Sequence, residues 1–195
     1  MDLSVNRTGV NRGETTEATR LPKLLGTVLN FPNIAAVASS GPNITRDARP
    51  VRMRLIKNDS GVAWLPGQII AYKTLLAGTA GTNPAAAATA VAHGVVDHCV
   101  PAAGVPNGHA CWVTEDGPTK FLNDAAGTVT EFNKLVVSSS VAGAVRVQTA
   151  APTQGNEVDQ INGLVGQAEE GAAAGGGTLA NATSFWGYFK APFVG

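Results

Sequence analysis

The fold is decided by the stretch GVVDHCVPAAGVPNGHACWVTEDGPTKFL, which occupies residues 94–122. Two runs rich in β-branched residues, 94–100 and 109–114, lie on either side of a segment of turn-forming residues. Asp116-Gly117-Pro118 then predicts a break before a further run at 119–122. Short runs separated by Gly and Pro roughly every 8–12 residues are typical of a small barrel or sandwich.

The same alternation extends to both sides of this stretch. In VRMRLI, residues 51–56, apolar residues at every second position place Val51, Met53 and Leu55 on one face of a strand. Residues 77–92 fit either a short helix at 84–91 or an Ala/Gly loop. Further strands are predicted at 62–65, 68–74, 129–132, 135–140, 144–149 and 161–170. The prediction is a mainly β fold, a small β-barrel or β-sandwich of short antiparallel strands.

The chain divides into three parts by composition. Residues 1–50 carry closely spaced prolines and few apolar runs, which predicts an extended N-terminal arm that is ordered mainly by what it lies against. Residues 51–170 form the β-rich core domain. Residues 171–195 begin with the Gly-rich hinge GAAAGGG and end in an aromatic C-terminal segment. This tail is either an exposed apolar patch that marks an interface or the last strand of its own domain.

Charge is sparse and unevenly distributed. The 195 residues include 14 basic and 14 acidic side chains, and charged residues are only 14% of the chain. The first 57 residues hold nine basic and four acidic side chains, whereas the rest hold five and ten. A net charge of zero argues against a protein that binds nucleic acid on its own. No signal peptide is visible at the N-terminus, and the longest uncharged stretch, 74–96, is too polar and too interrupted to cross a bilayer, so we expect no membrane partner.

Residues able to bind metal or to react are concentrated in one segment. All three histidines and both cysteines lie between residues 93 and 111, and a hairpin there would let Cys99 face Cys111. Strand alternation places His98 and Cys99 on opposite faces, and the spacing matches no zinc motif. Buried thiols are therefore the expected state, with a metal site at Cys99, His109 and Cys111 or a disulfide in the hairpin as the alternatives.

Catalysis has no support in the sequence. It contains no nucleophile-elbow motif around Ser138-Ser139-Ser140 and no phosphate-binding loop. Glu169-Glu170 lies beside a glycine and is interpreted as a solvated turn end. We therefore expect no catalytic residues, no cofactor and no enzyme.

Two groups of residues are candidates for protein contacts. The basic stretch at 46–57 lacks interleaved aromatic residues for base stacking, which favours contact with an acidic protein surface over a solvated face or nucleic acid. The aromatic tail supplies the second group. The candidates are Arg46, Arg49, Arg52, Arg54, Phe185, Trp186, Tyr188 and Phe189.

Residues 94–148 and the segment near 161–176 resemble small structural proteins of tailed-bacteriophage heads. The resemblance rests on two successive groups of motifs. The first group is Gly-Val-Pro-x-Gly, Trp-Val and Gly-Pro, and the second is a Leu, a Ser and Gly-Ala-Val. The matching positions are Gly104, Val105, Pro106, Gly108, Trp112, Val113, Gly117 and Pro118, followed by Leu135, Ser138, Gly143, Ala144 and Val145. The sequence departs from this pattern at Phe132-Asn133-Lys134, where a glycine often precedes the leucine, so the type of turn there is left open.

The resemblance implies a capsid decoration (cement) protein, made in the host cytoplasm and located on the capsid surface of the virion. Its partners would be the major capsid protein and further copies of itself, as a homotrimer that stabilises the head. A phage tail, fibre or spike component is the nearest alternative. A glycan-binding β-sandwich, with Trp64 or Trp112 stacked on a sugar, is the alternative of another class.

Overall fold

A computed structural model describes residues 9–36, 44–73, 76, 78–83, 91–124, 128–148, 164–172 and 183–190. They include the 3₁₀ turn Ala18–Arg20 and eleven strands of one sheet. The strands are β1 (Thr16–Glu17), β2 (Val28–Ala36), β3 (Ile44–Asn58), β4 (Ile69–Tyr72), β5 (Ala80–Thr82), β6 (Gly94–Val96), β7 (His109–Asn123), β8 (Lys134–Val137), β9 (Val145–Val147), β10 (Leu164–Ala168) and β11 (Thr183–Lys190). The predicted mainly β fold is confirmed.

Strand β7 organises the sheet because it belongs to two closed circuits of strand pairing. In the first circuit, β7 pairs with β6 and β3, and β4 and β5 close the path between them. In the second circuit, β7 pairs with β11 and β9, and β10 and β8 close the path. The prediction of short antiparallel strands holds only in part, since β3 and β7 have 15 residues each and the β3–β5 and β7–β9 pairs are parallel.

The predicted break at Asp116-Gly117-Pro118 is wrong, because β7 continues through it. The register with β3 shifts between Arg52 and Met53, and from Asp116 onward β7 pairs with β11 instead. Gly117 has a φ of +120° at this point, which glycine adopts without strain. The glycine and proline therefore mark a bulge and a change of partner strand rather than a turn.

Each circuit encloses its own apolar core. The core of the first circuit contains Ile56, Trp64, Ile70, Val96, Val100, Val105, Cys111 and Val113. The core of the second contains Ile69, Ala92, Val95, Phe121, Val129, Leu135, Val137, Val145, Ala168, Phe185 and Phe189. Alternation along β7 divides its side chains between the inside and the outside of the first circuit, since Cys111 and Val113 point inward and Trp112 points outward.

The N-terminal segment, residues 9–36, lies against the sheet of its own chain. It covers the outer face of β3 and β7, where Val10, Ala18 and Leu21 pack in one cluster with the apolar face of β3 predicted from the sequence. The Trp112 indole Nε1 donates to the carbonyl of Val10 at 2.8 Å. The proposed boundary at residue 50 lies inside β3, which pairs with β2 along nearly the whole length of β2. Residues 9–36 thus belong to the core of the protein, because β3 would otherwise expose that face to water.

The aromatic tail returns to the sheet as β11, which is the second of the two outcomes that the sequence left open. It pairs with β7 from Thr183↔Asn123 to Lys190↔Asp116. Residues 62–65 and 129–132 are not strands but contain the isolated bridges Trp64↔Val105 and Val129↔Ala172. Of the helix considered at 84–91, residues 84–90 lie outside the described residues, and Val91 is not helical. Of the hinge predicted at 171–177, residues 173–177 lie outside them, and Ala172 forms the bridge to Val129.

Candidate functional site

The sequence-predicted contact residues Arg46, Arg49 and Tyr188 meet at one surface groove of about 450 Å³. This groove, which we name the aromatic groove, lies where the start of β3 approaches β10 and β11. Its lining consists of Arg46, Arg49, Glu131, Phe132, Gln167, Ala168, Glu169 and Tyr188. Four large apolar side chains of the described residues are exposed, and two of them, Phe132 and Tyr188, lie in this groove.

Phe132 is the most unusual residue of the groove. Its side chain is 69% exposed, and its backbone has a φ of +67°, the one positive φ among the described residues that are not glycine. Its N–H donates to the Ala168 carbonyl at 2.9 Å, and its carbonyl accepts the Gln167 side-chain amide at 3.0 Å. The backbone is therefore held in a conformation that costs an L-residue on the order of 1 kcal/mol, while the ring gains little from burial.

Glu169 binds two arginines of β3 across the groove. Its carboxylate accepts from Arg46 Nη1 at 2.7 Å and from Arg49 Nη1, and Arg49 also binds Asp47 at 2.7 Å. Arg46 places its guanidinium carbon 4.3 Å from the Trp186 ring centroid, a cation–π contact. For Arg46 and Arg49, the acidic surface that the sequence predicts as a partner is therefore present on the same chain.

This ion-pair network moves the pKa of its acids downward. Hydrogen bonds from Arg49 hold the pKa of Asp47 well below its usual range, against the opposing effect of burial. Burial alone would raise the pKa of Glu169, but hydrogen bonds from Arg49 and Arg46 outweigh it and lower that pKa. Both carboxylates are ionised at neutral pH, so the rim of the groove is charged but largely neutralised.

The aromatic candidates divide between this surface and the interior. Tyr188 is partly exposed, its hydroxyl donates to Asp116 at 2.9 Å, and its pKa is raised by burial and by that carboxylate. Trp186 is nearly buried and lies beneath Arg46. Phe185 and Phe189 are fully buried in the second circuit, so their selection as interface residues is wrong. Alternation along β11 explains the division, because its odd-numbered phenylalanines face inward.

Arg52 and Arg54 lie outside the groove, in a different cluster. Both pair with Glu115, Arg54 Nε at 2.6 Å and Arg52 Nε at 3.5 Å. The Tyr72 hydroxyl donates to the same carboxylate, and its pKa is raised by burial and by that charge. Arg52 keeps an exposed side chain, but Arg54 is committed to this part-buried contact.

The histidines and cysteines that are close in sequence separate in the structure. Cys99 and Cys111 are free thiols, so the hairpin disulfide is excluded. Burial raises the pKa of Cys99 to about 12 and that of the fully buried Cys111 further. His93 stacks on Tyr72 with ring centroids 4.7 Å apart, and His109 lies in β7 opposite β1. The metal set suggested by the sequence, Cys99, His109 and Cys111, does not converge in the structure. Among the described residues, the one set whose ligand atoms lie close together is Asp97, His98 and Cys99.

Sequence reasoning missed Phe132, Gln167 and Glu169. The glycine that follows the Glu169-Glu170 pair suggests a solvated turn end, but Glu169 binds two arginines of β3. A signal for Phe132 is present in its place in the chain, since an aromatic residue stands in an otherwise polar turn. Trp64 and Trp112 are both completely buried, so neither can stack on a sugar and the glycan-binding alternative loses its platform.

No family model and no curated protein matches this chain in comparisons with known proteins. The described part of the chain has no helix with the length and apolar character needed to cross a membrane.

Proposed function

We propose that this protein is a structural component of a phage virion that binds the outer surface of the icosahedral head through the aromatic groove and stabilises the shell. The observation that carries the proposal is Phe132, an exposed aromatic ring on a strained backbone. Strained backbone conformations persist only where surrounding contacts fix them, and they are concentrated at functional sites. Two hydrogen bonds fix the backbone of Phe132. The resemblance to phage head proteins supplies the identity of the partner, the major capsid protein.

The composition of the groove suits contact with protein. Tyr, Phe and Arg are enriched in the centres of protein interfaces, and the few residues that dominate binding energy are drawn largely from Tyr, Trp and Arg. Phe132 and Tyr188 provide apolar area, while Arg49 keeps 45% of its side chain exposed at the rim. Because acids of the same chain already neutralise the arginines, a partner face of mixed character fits better than a strongly acidic one. The proposal includes no catalytic role and no cofactor.

The first experiment is the copy number of this protein in purified virions relative to the major capsid subunit. A ratio near one supports head decoration, with a contact on every capsid subunit. A few copies per particle would contradict decoration and support a tail, fibre or spike component. Absence from the particle would remove both.

The second experiment tests the groove itself by co-sedimentation of purified variants with capsids that lack the protein. Phe132→Gly removes the ring and permits the positive φ, so we expect binding at least about thirtyfold weaker, the effect of losing a hot-spot residue worth about 2 kcal/mol. The same change is expected to leave folding stability unchanged or raise it by about 0.5–1 kcal/mol, since the backbone strain is relieved.

Val62→Ser is the matched control. Val62 is also an exposed apolar side chain, at 54%, but it follows the end of β3 that is opposite to Arg46. It should bind capsids like the wild type. Equal binding by Phe132→Gly and wild type would show that the groove is not the contact surface.

A further inference from the structure

Three consecutive side chains, Asp97, His98 and Cys99, converge although strand alternation predicts that neighbours diverge. Strand β6 ends at Val96, and a turn closed by the Val100 N–H on the Asp97 carbonyl at 3.2 Å follows. One ligand atom of each side chain, a carboxylate oxygen, an imidazole nitrogen and a thiol sulfur, lies within 4.8 Å of the others.

The hydrogen bonds of His98 determine its tautomer. Its Nε2 lies 2.9 Å from the Ile34 carbonyl oxygen, which only accepts, so Nε2 carries the proton. In the neutral ring Nδ1 then has a free lone pair. The side chain is 5% exposed, Nδ1 is buried, and it has no hydrogen-bond partner within the described structure.

The unpartnered Nδ1 has another acceptor as a close neighbour. It lies 3.4 Å from Asp97 Oδ1, so two acceptor atoms are close together in a buried place. Two acceptors in that arrangement repel each other unless a positive charge lies between them. A tetrahedral zinc ion with bonds of about 2.1 Å to N and O separates those two atoms by about 3.4 Å, which is the separation observed.

Hydrogen bonds and packing hold this cluster in place. Arg12 binds the same carboxylate, through Nε to Oδ2 at 3.0 Å and Nη2 to Oδ1 at 3.2 Å, and the Cys99 N–H lies 3.3 Å from Oδ1. Such outer hydrogen bonds orient carboxylates that bind metals. The Trp186 ring packs edge-on against His98 with centroids 4.8 Å apart. Cys99 is only partly buried.

We propose that Asp97, His98 and Cys99 bind one thiophilic divalent cation of the zinc class, with water as the fourth ligand. A sulfur, nitrogen and oxygen donor set suits zinc or cobalt and disfavours magnesium and calcium, which prefer oxygen alone. On binding, the Cys99 thiol loses its proton to solvent and its sulfur forms the bond to the metal. The site ties the turn after β6 to β2 and β11 through the contacts of His98, and it is independent of the aromatic groove.

The test adds Co²⁺ alone, and separately Zn²⁺ alone, to chelator-treated full-length protein. We expect one equivalent of Co²⁺ to give a thiolate-to-cobalt charge-transfer band, and Zn²⁺ to displace it. Cys99→Ser should lose the band, whereas Cys111→Ala, which removes the other free thiol, should keep it. In the native protein labelled with iodoacetamide, Zn²⁺ should protect Cys99 at least about tenfold.

The labelling experiment needs no variant, so it stands even if a substitution impairs folding. Cys111 is its internal control, because it is fully buried and should stay unlabelled with or without zinc. His98→Gln retains a donor for the Ile34 carbonyl but lacks the ring nitrogen, and we expect its Co²⁺ affinity to fall at least about tenfold. Absence of the band together with unchanged labelling of Cys99, or a band that persists in Cys99→Ser, would overturn the proposal.

Discussion

The buried pair of Arg12 and Asp97 offers the sharpest test of the fold, because it joins the N-terminal segment to the turn after β6. The two side chains are 4% and 0% exposed. Arg12 Nη1 also donates to the Pro32 carbonyl at 2.7 Å, so Arg12→Met leaves a buried carboxylate without its cationic partner and that carbonyl without its arginine donor. Removing one partner of a buried pair costs about 3–5 kcal/mol.

The expected loss is large enough to measure in two ways. For a chain of this size, 1 kcal/mol corresponds to roughly 2–4 °C in Tm, so Arg12→Met should lower Tm by roughly 6–20 °C. The double variant Arg12→Met with Asp97→Leu replaces the pair by apolar groups and should be more stable than Arg12→Met alone. The difference between the double variant and the sum of the two single variants measures the coupling, which we expect to be about 2–3 kcal/mol.

The assay is urea unfolding followed by tryptophan fluorescence, with chelator present so that the result does not depend on any metal. Arg20→Met is the control, since Arg20 pairs with Glu17 in the same segment but is 75% exposed. A surface pair of this kind is worth less than about 1 kcal/mol. If Arg12→Met cost no more than Arg20→Met, residues 9–36 would be an arm outside the core, and their assignment to the packed fold would be wrong.

Three further outcomes are expected. Gly117→Ala should destabilise the protein by about 2–3 kcal/mol in urea unfolding, because its positive φ strains an L-residue and the added Cβ would lie 2.9 Å from a backbone oxygen. Gly61→Ala is the control, since that φ is also positive but no atom lies near the added Cβ, and it should cost about 1 kcal/mol. Leu135→Ala removes a fully buried side chain from the second circuit and should cost about 2–5 kcal/mol, and a cost below 1 kcal/mol would contradict that core. The pKa of Glu169 is lower in the folded state, so its ion pairs stabilise the protein above about pH 4.5, and this stabilisation is lost as the pH falls further. Between about pH 5 and 3, the unfolding free energy of Glu169→Gln should therefore fall less than that of the wild type.

Local sequence patterns predicted the strands well where burial alternates from one residue to the next. The alternation in β3 correctly placed Val51, Met53 and Leu55 on one buried face, and the expected hairpin exists as the pairing of β6 with β7. The prediction of a strand end at Gly117-Pro118 failed. These residues usually interrupt a strand, but in this protein β7 continues through them and changes its partner strand from β3 to β11. The sequence pattern also misplaced the boundary at residue 50, which falls inside β3, while the N-terminal segment covers the outer face of that strand.

The sequence identified only some of the residues that line the candidate site. Charge and aromatic content select Arg46, Arg49 and Tyr188, and the structure brings them together. They do not select Phe132, since exposure and backbone conformation are set by the contacts of the surrounding turn. Composition likewise indicated an acidic surface for the arginines without showing that the chain provides it.

The sequence by itself determined the β class, the period of two that buries one face of β3, and the division of charge between a basic first part and an acidic remainder. Only the tertiary structure decided that these parts neutralise each other, through pairs such as Arg12–Asp97, 85 residues apart, and Arg46–Glu169, 123 residues apart. It also decided that β7 closes two circuits. The physical reason is that alternation is a property of consecutive residues, whereas the choice among distant partners depends on which faces remain to be buried after the strands have formed.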